Sequence, residues 1–259
     1  LQSCFFGMLI AYYCQMPEEQ IMKRSIVTCL AVIGISLLLV PIASATTITF
    51  NTVTGATESG GNAVKASATF TTSNGVLTIE LSNQLVNPKT VAQNISGLSF
   101  VLSSGQTTGS LSSSSGEQLN VASDGSYSLG SEVSTGWNLS SISGGMKLNG
   151  LGATYTPAYT IIGLPDPGTD KYSDANGSIA GAPSHNPFLM SGPVEFVISI
   201  AGLTSTDTVR SATFFFGTTE GNSVPGTPPT NTPPIPEPTS LFLLGSGLAG
   251  LALILRKKY

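Results

Sequence analysis

Residues 66–84 read ASATFTTSNGVLTIELSNQ, and this stretch decides the fold class. Asn74-Gly75 is a hairpin signal of type I′, in which both central residues take positive φ. A two-residue turn fixes the register, so Ser73 faces Val76, Thr72 faces Leu77, Phe70 faces Ile79 and Ala68 faces Leu81. That register gathers the apolar side chains on one face and sends Thr71, Thr78, Glu80 and Ser82 to the other. Turn chemistry and alternation agree, which is the condition for a well-specified strand pair.

Working outward, the same period of two recurs. GLSFVLSSG (97–105) puts Leu98, Phe100 and Leu102 on one side. GPVEFVISIAGL (192–203) does so with Val194, Phe196, Ile198 and Ile200, against Glu195 and Ser199 on the other. Thr47–Asn51 reads as a first strand. In TVRSATFFFGT (208–218) the run Phe214-Phe215-Phe216 breaks alternation and predicts a central strand buried on both sides. Residues 104–150, polar and glycine-rich, are expected to form long loops and weak edge strands, with Trp137 capping the core. Helical periodicity is absent between 46 and 235. The expected fold is mostly β, an antiparallel β-sandwich of jelly-roll or immunoglobulin-like type over 46–220. A proline-rich spacer follows at 221–235 (GNSVPGTPPTNTPPI).

Composition narrows the function classes. Between 46 and 222 five bases (Lys65, Lys89, Lys147, Lys171, Arg210) stand against eleven acids, a balance of −6. Nucleic acid is therefore not an expected partner. Cys4, Cys14 and Cys29 all precede the body, which excludes a disulfide scaffold, a cysteine nucleophile and a thiolate metal site within it.

The front end, MKRSIVTCLAVIGISLLLVPIASA (22–45), reads as a secretory signal. Lys23 and Arg24 form the positive n-region and Ile26–Val40 the apolar helix, while Ala43-Ser44-Ala45 is the small-x-small site for signal peptidase. Cleavage is expected after Ala45. Met22 fits as the natural start, so residues 1–21 read as a mis-assigned extension.

The back end, NTPPIPEPTSLFLLGSGLAGLALILRKKY (231–259), carries a second address. Residues 239–255 are apolar or small and make roughly 25 Å of helix at about 1.5 Å per residue, a marginal membrane span. Arg256, Lys257 and Lys258 orient it with the basic end in the cytoplasm. Pro236-Glu237-Pro238, then an apolar helix, then a terminal basic cluster resembles the PEP-CTERM protein-sorting signal over residues 235–259. The resemblance implies a Gram-negative, exopolysaccharide-producing bacterium and a membrane cysteine protease, exosortase, that cuts near Pro-Glu-Pro. Pro236, Glu237 and Pro238 are then recognition residues. The body would pass transiently through the inner membrane to the cell surface or matrix, with exopolysaccharide as a possible companion.

Catalytic constellations are not legible in the body. His185, the only histidine, sits between Pro183 and Pro187 with no nucleophile elbow near it. No transition-metal spacing and no cofactor motif occurs. LPDPGTDKYSDANGS (164–178) offers Asp166, Asp170, Asp174 and Asn176 as a weak calcium candidate, although the spacing is not that of an EF-hand, Lys171 interrupts it and turn formation explains the same residues. The expectation is a non-enzymatic exported protein. The alternatives are a carbohydrate-binding or adhesive module, for which Trp137, Tyr127, Tyr155, Tyr159 and Tyr172 are the available aromatics, a hydrolase, and an uncleaved membrane-anchored periplasmic domain.

Overall fold

The computed structural model describes residues 45–151, 159–181 and 187–228. The extension and leader through Ser44, Tyr155, His185, the motif Pro236-Glu237-Pro238, the apolar run 239–255 and Arg256, Lys257 and Lys258 lie outside the described residues. Contacts divide the chain at Ala45, and every described residue belongs to the unit that starts there.

The hairpin at 66–84 forms in the expected register. β2 (Ala66–Ser73) and β3 (Val76–Asn83) pair from Ala66↔Asn83 to Ser73↔Val76. Phe70, Leu77, Ile79 and Leu81 are wholly buried, as alternation requires. The turn itself differs from type I′. Positive φ falls on Gly75 (+77°) and not on Asn74. A neighbouring loop explains the difference. The Gly75 N–H donates to Leu203 O, Ile200 N–H donates to Gly75 O, and Ser205 N–H donates to the Asn74 side chain. Tertiary bonds at the tip override the local turn preference.

Around this hairpin the chain adds β1 (Thr46–Thr52), β4 (Ile95–Leu102), β5 (Ser110–Val121), β6 (Tyr127–Val133), β7 (Asn138–Ile142) and β8 (Gly145–Asn149). β9 (Phe188–Leu189), β10 (Val194–Ser199), β11 (Val209–Phe216) and β12 (Ser223–Thr227) complete it, with one 3₁₀ turn at Val91–Gln93. The expected mostly-β, antiparallel class holds. Two separate sheets do not form. The twelve strands make one continuous, strongly curled half-barrel sheet in the order β6-β5-β10-β3-β2-β1-β12-β11-β4-β8-β7, with β9 beside β5. The two halves are linked where β1 meets β12, at Asn51↔Thr227 and Thr52↔Gly226. They face one another across a shared core, in which Phe70 of β2 meets Phe100 of β4 at 5.6 Å between ring centroids.

Three further expectations are corrected. Residues 104–150 hold four strands; β6 and β7 are the sheet's edges as expected, but β5 is interior and the longest of the described strands, at 12 residues. Its serines hid it: residues 110–115 are held in the ladder by backbone pairing with β10, and residues 116–121 by pairing with β6. Gly116 is buried there because the side chains of Leu189 and Val194 come within 3.3 Å of where a Cβ would sit. The Phe214–Phe216 run does alternate: Phe214 and Phe216 are buried and Phe215 is half-buried on the outer face. There Phe215 lies over Gly97 and under the Lys147 ammonium, 4.3 Å from the ring centroid. Finally, the segment read as a spacer starts later, since Ser223–Thr227 is a strand pairing Thr213↔Pro225, Phe214↔Val224 and Phe215↔Ser223.

A second, smaller core, of Leu119, Val121, Ile162, Tyr172, Ile179 and Phe188, is separate from the main one. Adjacent residues of a strand point to opposite faces. Phe188 packs into the small core and Leu189 into the large one, so β9 lies between the two. The seam between the edge strands β6 and β7 is bridged by the four residues Ser134–Trp137. Trp137 is 3% exposed, stacks at a tilt on Phe196 at 5.2 Å, and donates its indole N–H to Tyr159 O at 2.7 Å.

Candidate functional site: the two ends of the body

The functional signals of this sequence flank the body, so what the fold contributes is where it releases the chain. β1 starts at Thr46, one residue after the expected cleavage point. It runs the length of β2, from Thr46↔Thr72 to Asn51↔Ser67. β12 runs antiparallel to β1 and ends at Thr227 opposite Asn51. At Thr227 the direction of β12 is toward the Thr46 end of β1. Five residues separate Asn51 from Thr46, about 17 Å of strand. Thr227 therefore ends beside the far part of β1, with β12 pointing back toward Thr46.

The start of β1 is locked. Thr46 Oγ1 donates to Ser205 O at 2.6 Å, and Thr72 Oγ1 donates to Asp207 O at 2.6 Å and to Thr46 O at 3.2 Å. Thr47 and Thr71 share a hydroxyl bond at 3.2 Å, and Thr49 and Thr69 another at 3.0 Å. Phe50 is 1% exposed and meets Phe70 edge-on at 5.8 Å. The Asp207 carboxyl is held below its ordinary value by hydrogen bonds, first from the Thr204 N–H and then from its hydroxyl.

Elsewhere the side chains singled out in the sequence resolve into structural roles. Of the four calcium candidates only Asp166 and Asp174 come together, each accepting from Asn87 Nδ2 at 3.4 Å. Asp166 accepts the Gly168 N–H at 2.8 Å, Asp170 accepts the Tyr127 hydroxyl at 3.0 Å, Asp174 pairs with Lys89, and Asn176 accepts the Ser178 N–H at 2.9 Å. Lys171 turns away to Asp124 at 2.9 Å. Among the described residues no group of three or more His, Cys, Asp or Glu is placed to hold a metal. Of the aromatics considered for sugar binding, Trp137 and Tyr172 are buried, and the Tyr172 hydroxyl donates to Gly163 O at 2.9 Å. Burial pushes that phenol up from its ordinary value. Tyr127 packs edge-on against Tyr172.

Two features were not legible in the sequence. An open cleft of about 490 Å³ lies between the β1–β2 loop, the 3₁₀ turn and the β11–β12 loop. Glu58 lines it at 5% exposure, and both its oxygens are occupied by protein donors: Gly60 N at 2.6 Å, Asn62 N at 3.0 Å and Asn222 Nδ2 at 3.1 Å. Strand register also sets Glu80 directly opposite Glu195, and Glu117 opposite Glu132, all exposed. Like charges in direct opposition cost stability. They make this outer face acidic, in keeping with the net charge.

Residues 234–258 match the PEP-CTERM protein-sorting motif. The chain thus carries that motif at its C-terminal end, and the motif implies an exported protein processed by exosortase and sorted to the cell surface. The match covers the tail alone. Neither a curated protein nor a solved structure matches the chain. No helix among the described residues is long and apolar enough to cross a membrane.

Proposed function

We propose that this chain is the precursor of a non-enzymatic protein of the cell surface or extracellular matrix of a Gram-negative bacterium. Signal peptidase removes the leader after Ala45. The helix at 239–255, oriented by Arg256, Lys257 and Lys258, holds the body in the inner membrane until exosortase cuts near Pro236-Glu237-Pro238. The observation that carries this reading is the sorting motif at 234–258, following directly on a folded β body.

The geometry of the body supports it. A leader and a tail that both have their basic ends in the cytoplasm require both ends of the exported body to face the same membrane. β12 runs antiparallel to β1, so at Thr227 it points back toward the end of the body where Thr46 begins, a direction compatible with that topology. The Glu58 carboxylate, the one buried acid in the cleft, is taken up by internal donors and so favours a structural over a catalytic role. The burial of Trp137 and Tyr172 removes two of the aromatics on which a sugar-binding reading relied.

The test is to tag the body and fractionate cells with and without exosortase. Release of a shortened body only in the exosortase-positive strain is the expected result, with mass spectrometry placing the new C-terminus near Pro236-Glu237-Pro238. An intact tail in both strains would defeat the sorting reading and leave a membrane-anchored periplasmic domain.

A further inference from the structure

We infer that Asn176 is a self-modification site, converted to aspartate and isoaspartate without an enzyme, and that the fold selects it over two other Asn-Gly pairs. The sequence holds three such pairs, Asn74-Gly75, Asn149-Gly150 and Asn176-Gly177. A glycine after asparagine leaves the backbone nitrogen uncrowded, so that it can reach the side-chain carbonyl carbon. At the third pair the Gly177 nitrogen bonds to Asn176 Cγ and the Cγ–Nδ2 bond breaks. The Gly177 proton passes through solvent to the departing nitrogen, which leaves as ammonia. Water then opens the five-membered succinimide. Its attack at Cγ gives aspartate, and its attack at the main-chain carbonyl carbon gives isoaspartate, with one more methylene in the backbone.

At two of the pairs the attacking nitrogen is held elsewhere. The Gly75 N–H donates to Leu203 O at 2.9 Å, while the Ser205 N–H fixes Asn74 Oδ1 at 3.1 Å. The Gly150 N–H donates to Ser96 O at 2.8 Å, and Gly150 is buried, with Trp137 Nε1 2.8 Å from where a Cβ would sit. Asn149 does fold its side chain onto the Leu151 N–H at 3.1 Å, but its Nδ2 is tied to Glu220 at 3.2 Å. Ring closure at either pair waits on local opening.

Asn176-Gly177 is arranged for the reaction. Both residues are exposed, nothing lies within 4 Å of where a Gly177 Cβ would sit, and the Gly177 N–H has no partner among the described residues. Asn176 Oδ1 accepts the Ser178 N–H at 2.9 Å, an Asx turn that folds Cγ over the following peptide nitrogen. The Ser178 hydroxyl donates to the same oxygen at 2.5 Å and itself accepts the Val91 N–H at 3.0 Å. Two donors thus already face the oxygen that gains negative charge when the nitrogen adds to Cγ. The Ile179 and Ala180 N–H groups donate to Asn176 O at 3.0 and 2.9 Å, which draws charge off the peptide and eases loss of the Gly177 proton. The loop is anchored, because the Asn176 N–H donates to Lys89 O at 2.8 Å and Ile179 is buried in the small core. Reaction adds a carboxylate to a loop in which Asp174 already pairs with Lys89. The isoaspartyl product also lengthens the backbone just before Ser178, the side chain that holds the Val91 N–H.

The experiment incubates the full-length chain at mildly alkaline pH, folded in detergent and unfolded in urea, and follows the three Asn-Gly peptides by mass spectrometry. Trp137 emission confirms which sample is folded. In the folded chain Asn176 is expected to react at least about tenfold faster than Asn74 or Asn149, and in urea the three rates should converge. Equal rates at the three sites in the folded chain, or a faster Asn74 or Asn149, would overturn the selection. Ser178→Ala is expected to slow Asn176 at least about tenfold in the folded chain and to leave it unchanged in urea, while Ser178→Thr, which keeps the hydroxyl, should retain the rate. An unchanged folded-state rate in Ser178→Ala, or the same slowing in urea, would overturn the part given to the Ser178 hydroxyl.

Discussion

Glu58 is the residue whose chemistry and position are most closely coupled. It sits in a tight loop, yet its side chain reaches inward to collect donors from Gly60, Asn62 and, across 164 residues of sequence, Asn222. Burial pulls its pKa upward, but the hydrogen bonds from Gly60, Asn62 and Asn222 outweigh that and hold it below the ordinary carboxylate value. A depressed folded-state pKa means stability that is fully present above the unfolded value of about 4.3 and is lost as pH falls through the lower folded value. Glu58→Ala should cost about 1 kcal/mol at pH 7, because the part-buried donors on Gly60, Asn62 and Asn222 lose a charged acceptor. Urea melts at stepped pH check the sign: the gap between wild type and variant should close as pH drops from 5 toward 2. Trp137 gives a second residue-level prediction. Trp137→Ala opens the seam between the edge strands and strands the Tyr159 carbonyl, and should cost about 3–5 kcal/mol by denaturant melt.

At the scale of the element, β11 is the informative strand. Its three phenylalanines are one composition but two environments. Phe214→Ala removes a fully buried ring from the main core and should cost about 3–5 kcal/mol. Phe215→Ala removes an outer-face ring that covers Gly97 and receives Lys147, and should cost about 1 kcal/mol. Comparable losses from the two variants in chemical denaturation would show that the strand is buried on both faces after all. The β2–β3 hairpin teaches the complementary lesson. Its register was legible because a two-residue turn and a period of two constrain one another. The φ angles of its turn were not, since they depend on Leu203 and Ser205, more than a hundred residues away.

For the whole molecule, the joint between β1 and β12 matters most. The first and last strands among the described residues are neighbours at the centre of the sheet, so the curl is complete only when both are in place. A body ending at Thr227 should melt as cooperatively as one ending at Ile235. A body ending at Asn222, which lacks β12, should lose its single sharp transition, as followed by Trp137 emission and far-UV circular dichroism. Equal melts for all three would mean that Ser223–Thr227 contributes nothing and belongs to the spacer.

The sequence by itself determined what depends on neighbours along the chain. Alternation and a two-residue turn made the class antiparallel β. The order of Pro-Glu-Pro, apolar run and basic cluster made the sorting tail readable without any fold, because proteases and membranes read such signals as linear segments. Tertiary structure alone decided what depends on residues far apart: the serine-rich β5 as an interior strand, Ser223–Thr227 as β12, the meeting of Asp166 and Asp174 at Asn87, and the pairing of β12 with β1. In each of these the deciding partner is a backbone edge or a buried donor supplied by a distant segment. Local composition carries no record of which edge a strand will meet.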